Sequence, residues 1–440
     1  MKFPITILFS LCSFTSWGGL TFEGLNSKVI EIKPDANTGL EAIYVLENTQ
    51  DVRISYTSSG GNVQWSRFSS QGGGYAQEIP FSVSGNLSSI DLQTGDMGYI
   101  VTENERQHCF WIIDYSQHEM SLQAVSPDIE ESDCAMIMLK IDGSAPRIQY
   151  YTINGAPREL SREIELKYYT LEWDSDSHAY AQVPVTKTFS SFSNSLTSAS
   201  PLCNTDFELT GDRFLKEWGR ELTCTSTTYD AIAIDAQVEA SQISRDNDNE
   251  IKDSASELGG SAPAEITFTG FTTDGVAFRE WQMSRDRNFD IIDLRFNEDQ
   301  LTYTFREQGT TYVRFMVANN TGDCDWISET YEVNIGESRL ECPNAFSPGA
   351  SEGVNDEWKV SYKSLVSFEC HIFNRWGNEL FSTTDPSAGW DGKYKGKLVP
   401  AGVYFYVIKA KGADGKTYNR SGDINIINYN KNINQSNPIE

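Results

Sequence analysis

At 440 residues the chain is too long for one β-sandwich and suits three to five units of roughly 80–140 residues each. Apolar residues at 39% and aromatics at 12% can fill several cores, which excludes bulk disorder. The net charge is −27, and because residues 340–440 carry balanced charge, the acidity belongs to residues 1–339. Such a surface repels nucleic-acid phosphates and anionic lipid; it reads first as a solubility device, with recruitment of cations as the sharper alternative.

The chain opens with a charged Lys2, an apolar run from Phe3 to Phe14, and Ser16-Trp17-Gly18, which sets small residues at −3 and −1 of a cut. This is the pattern of a signal peptide over residues 1–18. Cys12 is not expected to be lipidated, because Phe9 and Leu11 stand where a lipobox needs leucine and a small residue. No run reaches the ~20 apolar residues of a transmembrane helix.

Beyond the leader, short alternating runs rich in Val, Ile, Thr, Tyr and Phe predict strands throughout. Residues 19–128 are expected to form an Ig-like β-sandwich. Its strands include Ile43-Tyr44-Val45-Leu46, Val63-Gln64-Trp65-Ser66-Arg67-Phe68 and Cys109-Phe110-Trp111-Ile112-Ile113, and Gly72-Gly73-Gly74 punctuates them. Trp65 stands where an Ig-like domain places its core tryptophan. A second Ig-like unit is drawn over 129–197, closed by the serine-rich linker Ser190–Ser195. A β-rich unit follows over 198–261 and ends in a polar, acidic loop, 244–261, that is expected to be exposed.

From Ala262 to residue 338, Phe278-Arg279-Glu280-Trp281, Tyr303-Thr304-Phe305, Gly309–Val317 and Tyr331–Ile335 resemble a PKD-type Ig-like repeat. The resemblance implies a spacer or binding module. The fold class expected is therefore all-β: tandem Ig-like and PKD-like β-sandwiches, with one more sandwich over 339–428 and a polar tail over 429–440.

In that last sandwich Val366–Phe373 alternates, and Gly377-Asn378 is a hairpin signal. Gly389-Trp390-Asp391-Gly392 is a tight turn, and Val403–Ala410 is the strongest strand of the chain. Five motif blocks stand in order along this stretch. They are Pro343-Asn344-Ala345-Phe346-Ser347-Pro348; Val354-Asn355-Asp356; Asn374-Arg375-Trp376-Gly377 after Ile372-Phe373; Gly389-Trp390-Asp391-Gly392; and Gly402-Val403-Tyr404-Phe405-Tyr406 after Pro400-Ala401. Together they resemble the type B C-terminal sorting domain of type IX secretion, also called the gliding-motility-associated C-terminal domain. The resemblance implies passage through the outer membrane by the type IX translocon, to the cell surface or the medium. Two departures matter: Gly349–Gly353 replaces the family's Asp-rich turn, which puts a cation site there in doubt, and the chain runs on past the last strand.

Seven cysteines follow the leader, and in an exported protein most should pair. Sequence neighbours suggest Cys109–Cys134, Cys203–Cys224 and Cys324–Cys342, among fifteen possible pairings of six; Cys370, on the inward face of its strand, reads as a small buried hydrophobe. The four histidines show no HxH or HExxH spacing and there is no GxSxG elbow. Asp174 and Asp176 form a DxD read as a solvated turn. Asp246–Glu250 alternates oxygen donors like a Ca²⁺ loop but lacks the glycine and distal glutamate. Asp253-Ser254-Ala255 resembles the bacterial O-glycosylation triplet, with Ser254 as acceptor.

No catalytic residue, resident metal or cofactor is expected. The reading is a non-enzymatic, adhesin-like secreted or surface protein whose partners are the translocon and a glycan or surface-protein ligand, not nucleic acid. One alternative is an accessory of the type IX or gliding apparatus at the outer membrane. The other is a glycan-acting enzyme with its site in residues 20–197.

Overall fold

The computed structural model describes residues 19–252, 258–350 and 353–427. The expected leader, Ser254 and the polar tail from 429 lie outside the described residues. The chain folds into two compact units, one from residues 19–172 and 181–233, the other from 173–180 and 234–427. Strands dominate both, as the alternating runs require.

In the first unit, two sheets pack face to face over residues 20–114. A four-stranded sheet contains Leu20–Glu23, Arg53–Thr57, Leu87–Asp91 and Ser82–Ser84, and a six-stranded sheet is built around Ala42–Leu46, Arg106–Asp114, Met97–Glu103 and Val63–Phe68. Trp65 fills the space between them, fully buried, with its indole N–H donating to Ser88 Oγ at 3.0 Å. That bond satisfies the one polar atom such a side chain brings into a core.

The six-stranded sheet is covered on both faces. Tyr44, Phe110 and Ile112 face the first sheet, while Ile43, Val45, Trp111 and Ile113 face residues from 120 onward. This explains why its central strands are continuous apolar runs: a strand buried on both sides has no polar face to alternate with.

The next sandwich packs Ser121–Pro127, Met136–Ser144 and Ser195–Ala199 against Ala179–Phe189, Ile164–Asp174, Glu208–Gly211 and Leu222–Thr225. The boundary drawn at 197/198 is thus incorrect. Ser195–Ala199 pairs with Met136–Lys140, and Glu208–Thr210 pairs with Glu165–Lys167, so residues from 198 to about 229 complete the unit begun before them. The serine-rich stretch is not a linker. The Asn194 amide donates to the carbonyls of Ile141 and Gly143, and Arg162 N donates to Ser190 O at 2.8 Å. Composition marked it as a spacer because serine suits loops, but its backbone is fixed on two sides.

A hairpin, Gln149–Tyr151 with Pro157–Glu159, leans on the first domain at Gly72-Gly73. A Cβ on Gly73 would lie 2.2 Å from Ile153 Cδ1, and one on Gly72 would lie 2.5 Å from Gly155 N. These glycines serve close approach as well as a turn. One core therefore runs through both domains of this unit.

Arg162 clasps the junction. Its guanidinium pairs with buried Asp212 and donates to the carbonyls of His118 and Pro146 at 2.5 Å each. Tyr115 Oη donates to Asp212 at 3.0 Å, and the other Asp212 oxygen caps a short helix through Leu215 N.

In the second unit, the Ig-like sandwich expected over 262–338 begins instead at residue 236: Ala236–Gln242 pairs with Ala264–Thr272, so the boundary drawn at 261/262 is incorrect. One sheet holds Ala236–Gln242, Ala264–Thr272 and Gln300–Phe305; the other holds Tyr331–Ile335, Gly309–Ala318 and Phe278–Ser284. Trp281 is its buried centre, 4.5 Å from the Phe315 ring.

The neighbour pairings of cysteine are not formed. Cys109, Cys224, Cys342 and Cys370 carry thiols, while Cys134 in the first unit and Cys324 in the second are each disulfide-bonded. Nearness in sequence fails as a guide because strand geometry, not chain distance, aims the sulfur; Cys109 points into the core beside Trp111.

Candidate functional site

The C-terminal domain is a sandwich of Arg339–Glu341 with Ser361–Lys363 over a five-stranded sheet. That sheet runs in the order Ala345–Phe346, Thr417–Ile426, Gly402–Gly412, Leu365–Phe373, Glu379–Thr383. Register brings the motif blocks together. Phe346 lies beside Ile426, Ile426 beside Gly402, and Phe373 beside Phe405. The Phe346 block, the Asn374–Asn378 turn and the start of the Gly402 strand therefore meet at one end of the sheet.

At that end the motif side chains hold one another. Trp390, only 1% exposed, packs against Phe346 at 5.5 Å and Tyr404 at 5.3 Å. Its indole N–H donates to Lys393 O at 3.0 Å. Its backbone exchanges two hydrogen bonds with Trp358, whose own indole N–H donates to Pro343 O at 2.7 Å. Tyr404 Oη donates to Pro400 O at 2.6 Å. Asn425 N donates to Asn344 O at 2.9 Å, which pins the strand leading to Phe346.

Gly392 has φ +74, and a Cβ there would come 3.2 Å from Pro348 Cγ. Asp391 accepts from Lys393 N at 3.0 Å and pairs with Lys393 Nζ at 2.7 Å. A Cβ at Gly389 would meet Glu357 Oε2 at 2.5 Å.

Asp356 accepts from Gly349 N at 2.8 Å and from Gly353 N at 2.7 Å. Ser347 N donates to Asn355 O. Both Asp356 oxygens are thus engaged by backbone amides where the Asp-rich turn is missing. Asn374 Oδ1 accepts from Trp376 N and Asn378 N, building the turn at Gly377, φ +82. Trp376 stands outside the packing, 71% exposed, with the Arg375 guanidinium 4.2 Å above its ring.

The opposite end of the sheet faces the preceding domain. Gln308 N donates to Ala413 O at 3.1 Å, and Ser364 N donates to Ser261 Oγ at 2.8 Å. Asp414 there accepts from Ser338 Oγ, Ser338 N and Lys416 N. Burial opposes its ionisation, but these donors prevail and hold its carboxyl at about 2.

Other candidates do not assemble into sites. Asp174 accepts from Ser177 Oγ and Asp176 N in an exposed turn. In Asp246–Glu250 the carboxylates face separate cations: Asp246 faces Lys252, Asp248 faces Lys359, and Glu250 faces Arg245. Among the described residues no group of three His, Cys, Asp or Glu could hold a metal. Beside Glu163, Glu165 and Asp212 lies a cavity of about 50 Å³ without aromatic walls; Glu163 is bound to Arg213, Asp212 to Arg162 and Glu165 to Lys167. Burial pushes the Cys370 thiol up to about 12, in keeping with a small buried hydrophobe on the inward face of its strand. Sequence reasoning missed Trp358, because a lone tryptophan between polar residues gives no sign of facing Trp390.

Residues 340–426 match the family described as the type IX secretion signal domain. The C-terminal domain is a type IX secretion signal domain. Residues 126–226 match the fibronectin type III domain, a span that crosses the boundary drawn at 197/198 and agrees with the single sandwich seen there. The 262–338 stretch is an Ig-like sandwich whose likeness to a PKD repeat remains a resemblance.

No curated protein matches the chain. Among solved structures, a tetra-tandem repeat from the extending region of a large adhesion protein is 12% identical, covers 87% of this chain and 96% of its own, and has a TM-score of 0.22. A Ca²⁺-stabilized adhesin with which an Antarctic bacterium binds ice is 12% identical, at 91% and 99% coverage and a TM-score of 0.19. Fibronectin(III)-like modules of Clostridium thermocellum CbhA are 10% identical, at 43% and 95% coverage and a TM-score of 0.18. Likenesses this weak decide nothing about the function of this chain. Among the described residues no helix is long and apolar enough to cross a membrane.

Proposed function

We propose that this chain is a non-catalytic, adhesin-like protein of the cell surface or medium, and that the motif-bearing end of its secretion signal domain is the face the outer-membrane translocon receives. The observation that carries this reading is the polarity of the domain. The motif blocks gather at the end remote from the preceding sandwich, where they leave Arg375 and Trp376 in solvent while the same blocks bury Trp390 and Phe346. An exposed tryptophan stacked by arginine adds nothing to a core, and both residue types are those on which binding energy concentrates. A non-catalytic reading is supported by the acidic candidates at Asp174, Asp246–Glu250 and Asp212, each held by hydrogen bonds or a neighbouring cation.

A chain cut after Leu340, produced in a host with type IX machinery, is expected to stay in the periplasm; its normal appearance outside the cell would overturn the proposal. Trp376→Ala in the full chain is expected to leave stability within about 0.5 kcal/mol while lowering the extracellular amount. Unchanged export would remove Trp376 from the recognised face.

A further inference from the structure

The segment Arg245–Ile251, expected from its composition to be an exposed loop, is instead held against the secretion signal domain, turning at Asp248-Asn249 and bridging it at Glu250. Ile251 N donates to Tyr362 O at 2.8 Å and Tyr362 N donates to Asn249 O at 3.1 Å. Glu250 and Tyr362 therefore form a parallel bridge beside Ser361–Lys363, whose other edge is taken by Arg339–Glu341.

The side chains fasten what the backbone starts. The Asn249 amide forks to Val360 O at 2.8 Å and Pro386 O at 2.9 Å. The Asn247 amide donates to Tyr362 Oη at 2.9 Å. The Glu250 side chain is only 4% exposed and is neutralised by Arg245 at 2.7 Å, and Asp248 reaches Lys359 at 3.2 Å. A buried carboxylate with a dedicated arginine is not the mark of a free loop. The alternation of polar residues has a reason of its own: asparagine amides can bond carbonyls that a two-stranded sheet leaves open, and an uncovered strand edge invites pairing with foreign chains.

We infer that the Arg245–Ile251 strap is an integral part of the export signal, so that the module the translocon accepts begins near Arg245 and not at residue 340. This rests on the reading that the C-terminal domain directs export. The strap closes the open edge at Val360–Tyr362 and makes the Ig-like domain and the signal domain a single object for the machinery.

The test uses the full chain carrying Asn247→Ala with Asn249→Ala, beside a control, Ile266→Val, that loosens the Ig-like core and leaves the strap intact. Amide exchange at Tyr362 is expected to rise at least about tenfold in the double variant. The extracellular amount should fall several-fold, with matching periplasmic accumulation, while the control is exported normally. The inference is overturned if Tyr362 exchange does not change, if it rises while export holds, or if the control fails alongside. In the same host, a chain truncated after Leu340 that still left the cell would strike the export reading itself.

Discussion

Replacing Asp414 with asparagine tests the coupling between the secretion signal domain and the segment that leads into it. Asp414 sits in the hairpin between Gly402–Gly412 and Thr417–Ile426. Its oxygens accept from Ser338 Oγ at 2.7 Å, Ser338 N at 3.2 Å and Lys416 N at 3.0 Å, and Lys416 Nζ lies 3.1 Å away. The carboxyl falls from its ordinary 3.8 to about 2 despite a burial that acts the other way. A folded-state value below the unfolded one stabilises the fold in full above pH 3.8, and the contribution disappears as pH falls through about 2. The drop corresponds to roughly 2 kcal/mol.

Asp414→Asn keeps one acceptor oxygen but loses the charge. It should therefore lower stability by roughly 2 kcal/mol at pH 7, and the gap to the parent should close toward pH 2. Calorimetry of the unit containing residues 234–427, with hydrogen exchange at Lys416 N compared at matched pH, measures both. A gap that is absent at pH 7, or constant from pH 7 to about 2.5, would refute the account of Asp414 as an ionised acceptor.

Trp390→Ala should destabilise the C-terminal domain by about 3–5 kcal/mol, because it empties the space between Phe346 and Tyr404 and strands the Lys393 carbonyl; chemical denaturation followed by tryptophan fluorescence reads the loss. Asp212→Ala leaves the Arg162 guanidinium buried without its counter-charge and should cost about 3–5 kcal/mol in the first unit. A melting curve superposable on the parent's would show that the clasp at Tyr115 and His118 does not hold that junction.

The sequence by itself determined the class of the fold and the location of the signal. Alternation in Val403–Ala410 and Val366–Phe373 sets which side chains face inward, since a strand turns every second residue to the same side. The motif glycines and aromatics announced tight turns closed over a core. Local pattern could not reveal which distant segments share a sheet. Ser190–Ser195 and Arg245–Ile251 are polar and without period, yet both are fixed, one by Asn194 on Ile141 and Gly143, the other by Asn249 on Val360 and Pro386. Asparagine and serine stabilise a backbone through carbonyls far away in the chain, and hydropathy does not register such bonds. Cysteine pairing failed for the same reason: the sulfur of Cys109 is aimed by its strand into a core formed with residues a hundred positions on, and only the packed sheets decide what it meets.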